Sequence, residues 1–185
     1  MSSAPSSAAI PGCPAGTWKA DPARCEISFS VRFLTVGTVH GRFTGCDATI
    51  VTREEPLGSA LTATIDVASV DTGNAKRDTH LRSADYLDVE SHPTMSYRST
   101  GIRGSGGGWI VDGELTLHGV TRQVPLAVEA NGFGPGPSGA QQATFSATAR
   151  IDRRDFAVTA RTDGGGVLVG YKVSISLVIQ AVLHK

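Results

Sequence analysis

A charge excess of either sign is what this chain most clearly lacks. Seventeen Lys and Arg residues balance 17 Asp and Glu, and charged residues make up only 18% of the chain, against roughly a quarter in an average soluble domain. No basic cluster is denser than Arg150, Arg153 and Arg154. Electrostatic attraction to nucleic acid or to an anionic membrane is therefore not expected. Long hydrophobic runs are missing too: the most apolar stretch, near the C-terminus, is broken by Lys172, Ser174, Ser176 and Gln180. That rules out a membrane-spanning helix, and the chain reads as soluble. Cysteine is scarce. Cys13, Cys25 and Cys46 make an odd count without CxxC spacing, so neither a disulfide framework nor a zinc site is indicated.

Catalytic signatures are absent as well. There is no GxSxG elbow to expose a nucleophilic serine, and no cysteine adjoins a histidine, Cys46 lying six residues after His40. His80, His92 and His118, with Asp78 or Asp85, are metal-ligand types, but no spacing among them resembles HExxH or another zinc or iron pattern, so no metal is assigned. The runs Gly104 to Gly108 and Gly164 to Gly166 do not lead into a helix whose N-terminus could face a phosphate. No enzymatic activity and no cofactor are read here.

What is present is strand periodicity. Ile27, Phe29, Val31 and Phe33 alternate with Glu26, Ser28, Ser30 and Arg32, which puts the apolar set on one sheet face. The alternation returns in Leu61/Ala63/Ile65/Val67, Met95/Tyr97, Trp109/Val111/Leu115/Leu117, Val124/Leu126/Val128 and Phe145/Ala147/Ala149/Ile151. It is longest from Val167 to Leu183. Segments Gly101 to Gly108, Leu117 to Thr121 and Asn131 to Ala140 carry turn chemistry. The pattern predicts about eight antiparallel strands joined as a meander. Closing them into a barrel would remove exposed edges, and eight strands enclose a space that side chains fill or that holds one ligand. Alternation alone leaves those two outcomes open.

At 185 residues the chain fits one domain. Residues 1–16, rich in Ser, Ala, Pro and Gly, read as a flexible tail, and 17–185 as the barrel domain. The opening has neither a basic nor an apolar signal region, which makes the cytoplasm the default compartment. A hairpin centred near Val36-Gly37 would face residues whose numbers sum to about 73, against 71 for Cys25 and Cys46. The two could lie near each other, but separate thiols are expected in a reducing compartment.

Between Asp71 and Thr100 strand alternation stops. Asn74 is placed to N-cap one helical turn (AKRDTHL) and Ser83 a second (ADYLDV), and Pro93 holds His92 extended. With TG, RD.HL.SADY.DV and HPTMSYRST in this order, the stretch resembles the signature of the YceI-like family of lipocalin-like lipid-binding proteins. GTWKADPARCEISFSVRF, GTVHGRFTG, VDGELTLHGVTRQVPL and ATFSATARIDRRDFAV also resemble that family's segments in order, across roughly Gly16 to Lys185.

The resemblance implies an all-β, eight-stranded antiparallel lipocalin-like barrel with a short helical cap and an elongated apolar tunnel. It implies non-catalytic binding, transport or storage of a long isoprenoid lipid, a polyisoprenoid or an isoprenoid quinone, and a possible homodimer. Related proteins with export signals exist. One-parity positions plus the cap nominate Phe29, Val31, Phe33, Phe43, Ile65, Leu81, Tyr97, Leu115 and Phe145 as lining. Arg77, His80 or Arg82 would meet a polar head group, unless the segment is only a helix cap with an Asp78–Arg82 surface pair. Asp152 to Asp155 read as a solvated hairpin end with mutual pairing. A stress-response or interaction protein with a filled barrel and no lipid remains the alternative.

Some residues depart from the family pattern. Ala157 stands where glycine is usual, GPGPSGA replaces a tryptophan-bearing loop, and Tyr171, Val178 and Gln180 replace acids.

Overall fold

The computed structural model describes residues 14–33, 37–106, 108–159 and 169–184. In chain order the strands are β1 (Gly16–Phe33), β2 (Gly37–Phe43), β3 (Cys46–Thr52), β4 (Ala60–Asp66), β5 (Val70–Asp71), β6 (Thr94–Ser105), β7 (Gly108–Leu117), β8 (Val120–Gln123), β9 (Leu126–Pro135), β10 (Gln141–Asp152) and β11 (Val169–His184). The helix α1 (Ala75–Arg82) lies between β5 and β6.

Eight of these strands close a ring in the order β1, β3, β4, β6, β7, β9, β10, β11, and β11 returns to β1. Every ladder is antiparallel, as a meander requires. The closing ladder runs from Thr17↔His184 to Phe33↔Val169, with register shifts between Ala20 and Cys25 and between Val31 and Phe33. Such irregularities let a long strand curve with the wall. β1 changes partner along its length: Gly16 to Lys19 face β3, whereas Ile27 to Phe33 face β2. β2 and the short β5 thus extend one end of the wall beside α1.

The eight-stranded barrel predicted from alternation is the one observed, but local readings needed correction. The glycine-rich Gly101 to Ser105 and Asn131 to Pro135 are strand, not loop; the connection after β9 is a tight turn in which Gly139 donates to Gly136 O at 2.9 Å. Cross-strand hydrogen bonds override weak intrinsic strand preference. Facing residues of β1 and β2 sum to 70 rather than 73, as in Ser30↔His40. Val67 leaves β4 for a 3₁₀ turn that Asp66 caps. Residues 1–13, Val36 and Val167, on which parts of the tail, hairpin and last-strand expectations fall, lie outside the described residues.

The separate-thiol expectation is overturned. Cys25 and Cys46 form a disulfide, with Cα atoms 6.1 Å apart across 21 residues of chain, and both are buried. The bend of β1 and the start of β3 bring the side chains together even though neither faces the other in a ladder.

Asn74 caps α1 as its sequence predicts, its side chain accepting from Arg77 N at 3.0 Å. Ser83 does not start a second helix; it closes the first, its hydroxyl donating to His80 O at 2.6 Å. The chain then turns repeatedly, with Leu87 N donating to Leu81 O and Asp88 N to Ser83 O. Nor do Asp78 and Arg82 pair with each other. Asp78 is buried and accepts from Thr72 N and Oγ1, while Arg82 donates to the carbonyls of Ala68 and Val70. Each thereby satisfies backbone at the junction of β5 and α1, where an unpaired group would be costly.

Candidate functional site

The inward faces of the ring strands do not fill the barrel. They leave two chambers, of about 190 Å³ and about 80 Å³. Leu61, Leu126, Leu177 and Ile179 line both, so these four aliphatic side chains form the boundary along which the chambers meet. Together the chambers fall just short of the usual range of ligand pockets, roughly 300 to 1,000 Å³.

The larger chamber receives Phe29, Val31, Phe43, Ile65, Tyr97 and Leu115 from the wall and Leu81 from α1. All were nominated from sequence. Phe145, nominated with them, lines the smaller chamber instead, beside Trp109 and Ala147. The side chain of Phe33 lies outside the described residues. Arg77 and His80 line neither chamber. Arg77 is exposed and donates to the hydroxyl and carbonyl of Thr72 at 2.8 Å each. His80 is exposed, 3.2 Å from the Asp85 carboxylate and edge-on to Tyr86 at 5.0 Å.

The turns after α1 contribute Tyr86 and Leu87 to the larger chamber. α1 therefore acts as a lid only on its apolar side, and its charged residues serve the lid's own architecture. At the smaller chamber an aromatic chain backs the wall: Trp18 meets Phe133 edge-on at 6.1 Å, and Phe133 meets Phe145 at 5.9 Å. Trp18 is fully buried, its indole N–H donating to Thr52 Oγ1 at 2.9 Å.

Polar groups near the chambers are already satisfied. The Tyr97 hydroxyl lies 2.8 Å from Val124 O and 3.2 Å from Val111 O. Burial, with a smaller push from the Asp112 charge, raises its phenol well above the ordinary range, so it stays neutral. Gly113 permits this ring position, because a Cβ there would collide with the Tyr97 ring. Among the described residues, the larger chamber has one charged lining residue, Arg153. Sequence reasoning placed it in a solvated hairpin end; it is buried, donating to Val158 O at 2.6 Å and Gly170 O at 3.0 Å and lying over the Tyr171 ring. The rest of that reading holds, since Arg154 grips Asp152 through two hydrogen bonds of 3.0 and 2.7 Å. Burial of one arginine among four adjacent charges is a tertiary event without a local signal.

Histidine placement also differs from sequence spacing. His80 stands apart with Asp85, while His92 and His118 come together with Asp88. Among the described residues, no helix is long and apolar enough to cross a membrane.

The elements together make an eight-stranded antiparallel barrel with apolar chambers under a short helical lid, a lipocalin-like architecture. The comparisons give the family: residues 18–181 match the YceI-like domain, and this chain belongs to that family. It is 36% identical to Protein YceI of Escherichia coli over 140 residues, 75% of this chain and 72% of that one. Among solved structures it superposes on BcnA of Burkholderia cenocepacia with a TM-score of 0.76 at 24% identity, covering 87% of this chain and 98% of that one. It also superposes on a polyisoprenoid binding domain from Saccharophagus degradans with a TM-score of 0.64 at 18% identity, over 92% and 100% of the two chains.

Proposed function

We propose that this protein binds and carries a long apolar lipid, a polyisoprenoid or an isoprenoid quinone, inside the barrel without transforming it. The observation that carries the reading is the pair of abutting apolar chambers running between the lid and the Trp18 aromatic cluster. The description of the Saccharophagus degradans domain as polyisoprenoid-binding supports the ligand class.

Burial is the mechanism. Each methylene removed from water contributes about 0.8 kcal/mol, so a five-carbon isoprene unit contributes roughly 3 to 4 kcal/mol gross. A few units offset the cost of association and of confining the chain. The modest chamber volumes favour a thin chain lying across the four-residue boundary over a bulky ring system. Arg77 and His80 are engaged outside the chambers, so this reading does not rely on a charged contact to the head group. Selectivity therefore rests on chain shape and length.

The test is organic extraction of tag-free protein purified without detergent, followed by mass spectrometry. A near-stoichiometric isoprenoid is the expected result. Absence of lipid, persisting after incubation with isoprenoid and quinone panels, would favour a filled-barrel interaction protein.

A further inference from the structure

We propose that Asp88, His92 and His118 form a binding site for one divalent transition-metal ion of the zinc class, which staples the lid segment to the β7–β8 hairpin. One carboxylate oxygen and one nitrogen from each ring lie within 4.8 Å of one another. The three residues come from two segments remote in sequence, so helical or strand repetition does not explain their meeting. All three are half-buried.

Backbone geometry aims the groups. His92 N and Ser91 N both donate to Asp88 O, at 2.8 and 3.1 Å, folding a turn that puts Asp88 and His92 side by side. His118 and Gly119 are the two residues between Leu117 and Val120, with φ of 55° and 73°, the signature of a tight type I′ hairpin. A Cβ at Gly119 would strike the His92 ring, so the glycine is also what lets that ring approach. Asp88, at φ 47°, is likewise left-handed. Two of the three non-glycine residues with positive φ among the described residues thus belong to this cluster.

The chemistry of the donor set fits. His118 Nδ1 lies 3.2 Å from Phe156 O. A carbonyl can only accept, so the contact requires the proton on Nδ1, the tautomer of the neutral ring that leaves the Nε2 lone pair for a metal, as in sites whose histidines are oriented by a backbone carbonyl. The rings of His92 and His118 meet edge-on at 4.9 Å rather than stacking. The Asp88 carboxylate and His92 ring nitrogens have no hydrogen-bond or ion-pair partner among the described residues. The groups are near enough to share an ion, and no hydrogen bond is recorded among them. Ligand bonds of about 2.1 Å in tetrahedral geometry call for ligand separations of roughly 3.4 Å, which small side-chain rotations can reach from a set already within 4.8 Å. Two imidazoles and one carboxylate suit zinc, cobalt or nickel better than calcium or magnesium, and water would complete the shell.

The position gives the ion a task. Leu87 precedes Asp88 and Leu117 precedes His118, and both leucines line the larger chamber. An ion bridging the two segments would therefore hold the lid's trailing turn against the wall without entering the chamber.

The test uses the full tag-free chain, stripped with a chelator and titrated with Zn²⁺ by calorimetry and with Co²⁺ by visible absorption. One equivalent should bind, with cobalt bands of a tetrahedral or five-coordinate centre. Asp88→Asn and His92→Gln should each weaken binding at least tenfold. His40→Ala, which alters an exposed histidine on β2, should not. Asn tolerates a left-handed backbone at least as well as Asp, so Asp88→Asn remains decisive if circular dichroism shows that His92→Gln fails to fold. Binding no tighter than millimolar, or equal binding by the wild type and Asp88→Asn, would overturn the site.

Discussion

Ala157 is where a single residue's departure from its family has a readable cost. It sits at φ 56° and ψ 21°, left-handed, closing the 3₁₀ turn Arg153–Phe156. A side chain disfavours that conformation by roughly 1 to 2 kcal/mol, which the extra entropy of a glycine in the unfolded chain only partly cancels. Ala157→Gly should raise unfolding free energy by a few tenths to about 1 kcal/mol, measured by urea denaturation; a loss of stability would contradict the reading. The substitution was legible in the sequence, but its geometry was not. The nominated Phe29, Val31 and Ile65 were legible because a pleated strand turns alternate side chains to one face. Arg153 was not, because its partners Val158 and Gly170 reach it only through the folded chain.

At the scale of elements, the bent β1 is held to β3 by the Cys25–Cys46 disulfide. Closing a loop of this size removes unfolded-state entropy worth about 3 kcal/mol. A Cys25→Ser/Cys46→Ser double variant should lose stability of that order, and a chemical reductant should lower the wild-type melting temperature while leaving the variant's unchanged. Position near one another was legible from hairpin arithmetic, although the register was three residues off. Bonding was not, because it depends on the bend of β1. Since disulfides persist in oxidising compartments, thiol trapping in cell extracts also tests the cytoplasmic expectation directly.

The junction of β10 and β11 carries a pH signature. Asp152 accepts from Arg154 through its side chain and backbone and lies 3.4 Å from Lys172. Arg154, ahead of the other contacts, holds the Asp152 carboxyl well below the ordinary range. A carboxyl lowered in the folded state contributes stability above the unfolded value, near 3.9. That contribution drains away as pH falls from there toward the folded value. Asp152→Asn, which can keep the cap to Arg154 N, should flatten the fall in urea midpoint below about pH 4. An unchanged slope would show that other carboxylates, such as Asp71 and Asp112, which are also lowered, dominate acid unfolding.

For the whole molecule, closure of the ring was predictable from repeated two-residue alternation, whereas hollowness was not. Small inward residues decide it, and Ala147 and Ala149 lie on opposite sides of the division, one in each chamber. Under the proposed function, that division would make the barrel a length gauge. Ala147→Trp should fill the smaller chamber and shift preference toward shorter isoprenoids, as read by competition between chains of different length. Ala149→Trp should occupy the larger chamber, abolishing uptake while the circular dichroism spectrum stays that of the parent.

Native mass spectrometry of the wild type and Ala149→Trp, loaded in parallel with the same isoprenoid, tests the central claim most directly. A hollow carrier predicts a one-to-one mass increment on the wild type that is missing from the variant. Equal increments on both would place the lipid outside the barrel, and none on either would mean that the interior takes no chain of this class.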